Sequence, residues 1–384
     1  MPRRALSLEN GSLECDGLPL THARYREKIA ANHLKTEGSC MELPPDDLEL
    51  IHALQLAPRA TWTQLGSVLR RHPATLAARW ERLRAEGQAW ITGHIGTADG
   101  QGCVTFIGLE CRSGHRAEVL ERLCAVPEIG TVEEAARAWD LRLTVLTRNW
   151  EQVARGVLPI VRTDPDIMRS QVTLATRLYS AGNNWRLDVL SPEQQRRIAA
   201  LHPGVTRPPG ATPPTLPQLM TVLARDGRAS AVEIAAETGT HPTTVARHLR
   251  QACETGLLAL RCELAQDWSG YPIGCQWYVR VPPAQLEAAV SYLRSYRTLR
   301  LCAATTGDAN LTFYLWLRTP GAIADVEAGL QQAAPAVQVI ESDVGVRTHK
   351  RTGWMLNEDS TATGEVIVTP VLPPAPPLHD HRRH

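Results

Sequence analysis

Two clusters of arginine and hydroxyl residues hold the chemistry in this chain. One contains Arg70, Arg71, Thr75, Arg79, Arg82 and Arg84 around a single acid, Glu81; the other contains His241, Thr243, Thr244, Arg247, His248 and Arg250, with no acid until Glu254. Guanidinium forks and hydroxyls are donors suited to phosphate oxygens and to acceptor edges of bases in a DNA major groove. Arg79 and Arg247 fall where base readers are expected. Arg70 and Arg71, with Thr61 and Ser230 upstream, fall where phosphate contacts fix the register. The competing assignments are a solvated helix face whose arginines pair with acids three or four residues away, or a three-helix module that binds protein.

The elements that position these residues occur twice in one register. Arg59 recurs as Arg228, 169 residues later, and at that offset Leu65 falls on Ile234, Pro73 on Pro242, Thr75 on Thr244, Ala77 on Ala246 and Gly87 on Gly256, without a gap. Asp46 and Asp47 open a first helix with Leu48, Ile51 and Leu54 at helical spacing, and acids there favour the helix N-terminus. Thr61 with Gln64, and Ser230 with Glu233, have capping-box spacing for a second helix. Pro73 and Pro242 suit the first residue of a third helix, which Gly87 and Gly256 close. His72 and His241, just before those prolines, are poor caps by type. Helix, turn, helix is therefore expected twice.

After each head the apolar period shifts from 3.6 to 2. Strands are expected at 103–111, 129–137, 140–148 and 167–178 with helices at 116–125 and 150–161, and again at 274–281, 298–305, 311–318 and 336–347 with helices at 284–295 and 321–333. The fold class is α+β: two winged-helix-like, helix-turn-helix domains, each followed by a βαββαβ ferredoxin-like domain. The expected organisation is a disordered extension (1–43), a first head (44–95), a first ferredoxin-like domain (101–180), a linker with one short helix (181–214), a second head (215–262), a second ferredoxin-like domain (270–350) and a tail (351–384). The linker is long enough for the two halves to pair with each other as an intramolecular pseudo-dimer, and further homo-oligomers are compatible with this plan.

Composition narrows the classes. The chain has 384 residues and a formal net charge of +1, so contact with nucleic acid must come from local clustering of charge. Nine cysteines show no C-x-x-C pair and no histidines at zinc-finger spacing, which points to buried thiols in a reducing cytoplasm and to no metal site. The histidines near the end (His379, His381, His384) are read as incidental. No apolar run reaches membrane-spanning length, so no membrane partner is expected. No phosphate loop, dinucleotide fingerprint or Ser-His-Asp pattern is present, so the chain is expected to be no enzyme and to need no cofactor.

Leu43, Asp46, Asp47, Ile51, His52, Leu54 and Gln55 with Arg59, and Asp226-Gly227-Arg228-Ala229-Ser230 followed by Thr244-Val245-Ala246-Arg247-His248-Leu249, resemble the Lrp/AsnC family of transcription regulators. The resemblance spans about residues 44–179 and 216–349. It implies a sequence-specific regulator whose partners are double-stranded DNA and a small effector such as an amino acid, sensed by the βαββαβ unit. In that family a Gly-x-x-Asp turn lies near the effector site. The second copy has Gly307-Asp308-Ala309-Asn310 there, making Gly307, Asp308 and Asn310 the candidate effector residues, whereas the first copy has Ala136 to Asp140. The first copy also departs at Ala57-Pro58-Arg59 and at Ala78, where the second has Arg247. Sirohaem decarboxylases look like Lrp/AsnC proteins turned to catalysis, and His349-Lys350-Arg351 is the one cluster suggestive of that alternative.

Overall fold

The computed structural model describes residues 42–96, 102–182, 185–202, 204–208 and 212–369. Residues 1–41 of the extension expected over 1–43, the histidines of the tail and parts of the linker lie outside the described residues, while Leu43 is buried in the core of the first head.

The first head consists of α1 (Pro45–Leu56), α2 (Trp62–Leu69), α3 (Pro73–Ala85) and a wing strand β1 (Ala89–Ile95). Thr61 and Gln64 form the capping box at the start of α2. Leu50, Ile51, Leu54, Leu65, Leu76, Trp80 and Leu83 make the core of this head. Its helix turn contains Arg70 with φ 55°, a left-handed conformation that costs a β-carbon-bearing residue about 1 kcal/mol. The second head places Gly239 at the equivalent position. Both histidines expected to cap poorly do cap: His72 Nδ1 accepts from the Ala74 N–H at 3.3 Å and His241 Nδ1 from the Thr243 N–H at 3.4 Å. A ring nitrogen held in the acceptor tautomer replaces the usual hydroxyl.

Between the heads, β2 (Cys103–Cys111), α4 (Arg116–Cys124), β3 (Ile129–Ala135), β4 (Leu141–Thr147), α5 over residues 150–163 and β5 (Ile167–Ser180) follow in order, then α6 (Pro192–Ala199). The second head repeats the first as α7 (Leu216–Arg225), α8 (Ala231–Thr238), α9 (Pro242–Glu254) and β6 (Leu258–Leu264). After it come β7 (Ile273–Arg280), α10 (Leu286–Arg294), β8 (Leu299–Thr305), β9 (Leu311–Leu317), α11 (Ala322–Ala333) and β10 (Gln338–Arg351), and then β11 (Trp354–Leu356) and β12 (Ala362–Val366).

Two sets of contacts, among others, join the heads. The wings pair as an antiparallel two-stranded sheet with Thr92 opposite Arg261. The Arg59 guanidinium donates to the Gly227 and Ala229 carbonyls at 2.6 and 2.8 Å, and Arg228 donates to the Pro58 and Ala60 carbonyls at 2.6 and 2.9 Å. Each arginine and each pair of carbonyls is the other's counterpart under the 169-residue shift, so the exchange is reciprocal. Burial draws both guanidiniums below their ordinary pKa, Arg228 to about 10, and Arg228 also stacks 4.0 Å from the Trp62 ring.

The ferredoxin-like domains are not separate units, which corrects the expected fold. The ten-stranded sheet runs β12-β11-β10-β3-β4-β2-β5-β8-β9-β7, and β7 pairs back to β10. The long last strand of each half is shared: β5 pairs with β2 through residues 167–174 and with β8 through residues 175–180, while β10 pairs with β7 through 338–344 and with β3 through 345–350. The strands from β3 round to β10 thus close into a ring. Closure removes the two free edges that each domain would expose by itself. Two apolar clusters lie between the ring and its helices, one centred on Ile107, Val119, Leu143 and Val157, the other on Trp277, Leu293, Phe313 and Leu330.

Two segments expected as linker and tail are built into the structure. Trp185, Leu187 and Leu190 bury in the first head's core, where His52 Nδ1 accepts from the Leu190 N–H at 3.2 Å and Gln55 Oε1 from the Leu187 N–H at 2.8 Å. Strand β11 extends the sheet from β10, and Trp354 lies 5.6 Å from Trp90 of the wing.

Replacing Arg59 or Arg228 by Ala leaves buried carbonyls without donors, and each change is expected to lower stability by about 2 kcal/mol, read from urea unfolding. Acid should also destabilise the protein. Burial holds His52 neutral down to about pH 3 and His94 down to about 4, against 6.5 for an exposed imidazole. The unfolded chain therefore takes up protons that the folded chain refuses, so this contribution to stability is complete above the unfolded value and is lost as the pH falls from there towards 4. Melting temperatures across that range check this, and a flat profile contradicts it.

Candidate DNA-reading helices and an arginine-lined cavity

In the first head the acids at the start of α1 engage the arginines expected to read DNA. Arg71 reaches Asp46 at 3.0 Å, Arg79 reaches Asp46 at 3.1 Å and Asp47 at 2.7 Å, and Arg82 reaches Asp47 at 2.6 Å and Glu86 at 3.2 Å. Asp47 is fully buried. The bond from Arg71 holds the Asp46 carboxyl below its ordinary pKa, and the bond to Asp47 raises Arg82. Arg84 reaches Asp226 of the other head at 2.8 Å. Arg70 and Thr75 are exposed, and the Thr61 hydroxyl is committed to its cap.

The second head differs. Arg247 and Arg250 lie on α9, both exposed, and neither forms an ion pair among the described residues. Thr243 and Thr244 precede them on the same helix, and the Ser230 hydroxyl caps α8 through the Glu233 N–H. His248 is not placed to read bases: it is buried, with Nδ1 2.7 Å from the Thr215 hydroxyl, and burial lowers its pKa.

The residues expected at the effector site lie on the turn between β8 and β9. Both ends of the Asn310 amide are used on Val281, accepting from its N–H and donating to its carbonyl at 2.8 Å each. Gly307, with φ 101°, and Asp308 are exposed on the turn. The run His349-Lys350-Arg351 is dispersed where the pairing of β10 with β3 shifts register between Thr348 and Lys350. His349 Nε2 meets Glu134 at 2.5 Å, while the buried Lys350, its pKa drawn to about 8 by burial, donates to the carbonyls of Cys124 and Val126 at the end of α4. Only Arg351 turns to the interior.

That interior is a cavity of about 210 Å³ where the ring meets the wings, lined by Arg261, Arg300, Arg351, Glu133, Tyr314 and Trp316 among others. Glu263, fully buried, accepts from Arg300 at 2.8 and 2.9 Å and from Arg261 at 3.1 Å. Burial alone would raise the Glu263 pKa, but Arg300, Arg261 and Arg351 together hold it below the ordinary value. Arg300 lies over the rings of Trp316 and Trp185 at 4.2 and 4.6 Å, and Arg351 over Trp316 at 4.9 Å. Burial lowers Arg300 to about 10. Glu133 is occupied by the Tyr314 hydroxyl at 2.6 Å and by Arg142 at 2.7 Å. Sequence reasoning missed this site. The one signal was the alternation that puts Arg261 and Glu263 on one face of a strand; Arg300 and Arg351 join them only through ring closure.

Residues 215–259, the second head, match the family of winged helix-turn-helix DNA-binding domains. No curated protein matches the sequence. Among solved structures, the siroheme decarboxylase NirDL is similar at 15% identity and TM-score 0.47, over 79% of this chain and 92% of that one. AsnC from E. coli is similar at 14% identity and TM-score 0.29, over 35% of this chain and 93% of that one. FFRP-DM1 is similar at 25% identity and TM-score 0.19, over 19% and 97%. The flat expectation that the chain is no enzyme does not stand, since the solved structures to which it is similar include an enzyme. Among the described residues no helix is long and apolar enough to cross a membrane.

Glu263→Gln leaves the Arg261 and Arg300 guanidiniums without their paired carboxylate and removes the negative charge nearest Arg351. Unfolding by urea should show a loss of about 3 kcal/mol, and an unchanged midpoint would show that the cluster is solvated enough to need no anion.

Proposed function

We propose that this chain is a transcription regulator of Lrp/AsnC type, two repeats held as an intramolecular pseudo-dimer in the cytoplasm, which binds double-stranded DNA chiefly through its second head and answers to a small molecule. The observation that carries this reading is the contrast between the heads. Arg247 and Arg250 sit on α9 with no acid paired to them among the described residues, whereas Arg71, Arg79 and Arg82 are held by Asp46 and Asp47. A guanidinium already paired with a buried carboxylate must give up that partner before it can take a phosphate or a base, and the uncompensated carboxylate makes the exchange costly. The match of residues 215–259 to a DNA-binding family supports the same division of labour. The first head then serves mainly as a packing partner, with the wings and the reciprocal arginines setting where the second head sits.

A second reading, a sirohaem- or haem-pathway decarboxylase, is favoured by the arginines of the cavity and by His94, which lines it with Nε2 unpartnered among the described residues. Haem-type absorption that stays with the protein through purification would support it.

Gel shifts at low salt, using fragments selected by genome-wide binding, separate the roles of the heads. Arg247→Ala or Arg250→Ala should weaken binding by about tenfold or more, the effect of losing a base or phosphate contact. Arg79→Ala, checked for an unchanged far-UV spectrum, should have a clearly smaller effect. Equal losses at Arg79 and Arg247 would overturn the division of labour, and no binding to any duplex would overturn the regulator reading.

A further inference from the structure

Three features of the central cavity point to an anion. First, Arg261, Arg300 and Arg351 converge there, while one carboxylate, Glu263, is directly paired with Arg261 and Arg300. Arg351 contacts neutral acceptors, the Leu264 carbonyl and the side chains of Gln266 and Thr348, at 3.3 to 3.5 Å. Second, donors are left over. Arg300 Nη1, Arg261 Nε and Trp316 Nε1 are buried and have no hydrogen-bond partner among the described residues, and Arg300 is only 7% exposed. A buried guanidinium with an unmet N–H is costly unless an acceptor reaches it. Third, the rest of the wall is largely apolar, with Val104, Leu146, Leu178 and Leu301 facing the same space.

We propose that the cavity binds an organic carboxylate with an apolar or aromatic body, its carboxylate held by Arg300 and Arg261 and its body lying against Trp316 and the leucines. A carboxylate has two acceptor oxygens, one for the unmet N–H of Arg300 and one for that of Arg261, which matches both the leftover donors and the excess of positive charge. The position also links the ligand to the heads. Arg261 lies on the wing strand β6, opposite Thr92 of β1, and the Thr92 hydroxyl donates to the Ala224 carbonyl in the first helix of the second head at 2.9 Å. Met220 and Ala224 of that helix line the cavity themselves. An anion bridging Arg300 on the ring to Arg261 on the wing therefore tightens the second head against the ring. Binding of this carboxylate does not require that the head also bind DNA.

The test is calorimetric titration of the full chain, without DNA, with phenylpyruvate and benzoate, with the uncharged analogue benzamide, and with uroporphyrin as a large polycarboxylate. The acids are expected to bind and to quench tryptophan fluorescence, and benzamide is expected to fail. Arg300→Gln should weaken acid binding by about tenfold or more, the loss of one charge-assisted contact, and Arg300→Lys less. Because Arg300→Gln also disturbs Glu263, Leu146→Phe provides a second variant that fills the cavity from its apolar side and should reduce binding with the ion cluster intact. Binding of uroporphyrin alone assigns the site to tetrapyrrole carboxylates and still supports it. No binding by any acid, equal binding of benzamide, or unchanged affinity in both Arg300→Gln and Leu146→Phe overturns the inference. Failure here leaves the gel-shift result on the heads untouched.

Discussion

The reciprocal exchange between Arg59 and Arg228 is the contact on which the arrangement of the molecule depends. Each head bends between its first and second helices, and the carbonyls at that bend have no helical partner. The opposite head supplies the donors: Arg59 to Gly227 and Ala229, Arg228 to Pro58 and Ala60. Two charged forks buried on each other's backbone carbonyls tolerate little displacement. Together with the wing register centred on Thr92 and Arg261 they fix one head against the other, and they set the wings over the ring where the cavity lies.

The ring solves a related problem. Its last strands, β5 and β10, are each 14 residues long, long enough to finish one half and begin pairing with the other. Apolar packing between sheet and helices fills the outside, and the interior combines polar and aromatic side chains with a wall of Val104, Leu146, Leu178 and Leu301. Guanidiniums gathered there by closure are partly balanced by Glu263, and the stacking of Arg300 on Trp185 and Trp316 offsets part of the desolvation. The result is an interior that is electropositive and short of acceptors, next to the strand that carries the wing.

The heads share a backbone plan and differ in charge. Asp46 and Asp47 fit the sequence rule that acids favour a helix start, yet they also bind Arg71, Arg79 and Arg82 across the head. In the second head the residue flanking the first helix is Thr215, and its hydroxyl meets His248 rather than an arginine. A difference of a few side chains at one helix start thus separates a face whose cations are paired with acids from one whose cations have no acid paired to them among the described residues.

Much of this was legible in the sequence. The 169-residue register, the capping boxes at Thr61 and Ser230, the closing glycines Gly87 and Gly256 and the order of strands and helices all arise from local rules of propensity and period, which act over a few residues. Partnership does not. That Asp47 would bury itself against Arg79 and Arg82, that His248 would turn to Thr215, that Asn310 would spend its amide on Val281 and that Arg261, Arg300 and Arg351 would meet in one cavity depends on contacts between residues tens to hundreds of positions apart. Local sequence sets which donors and acceptors exist and which face of an element they occupy; only the closure of the ring and the docking of the heads decided which of them are satisfied within the protein and which remain for a ligand or a duplex.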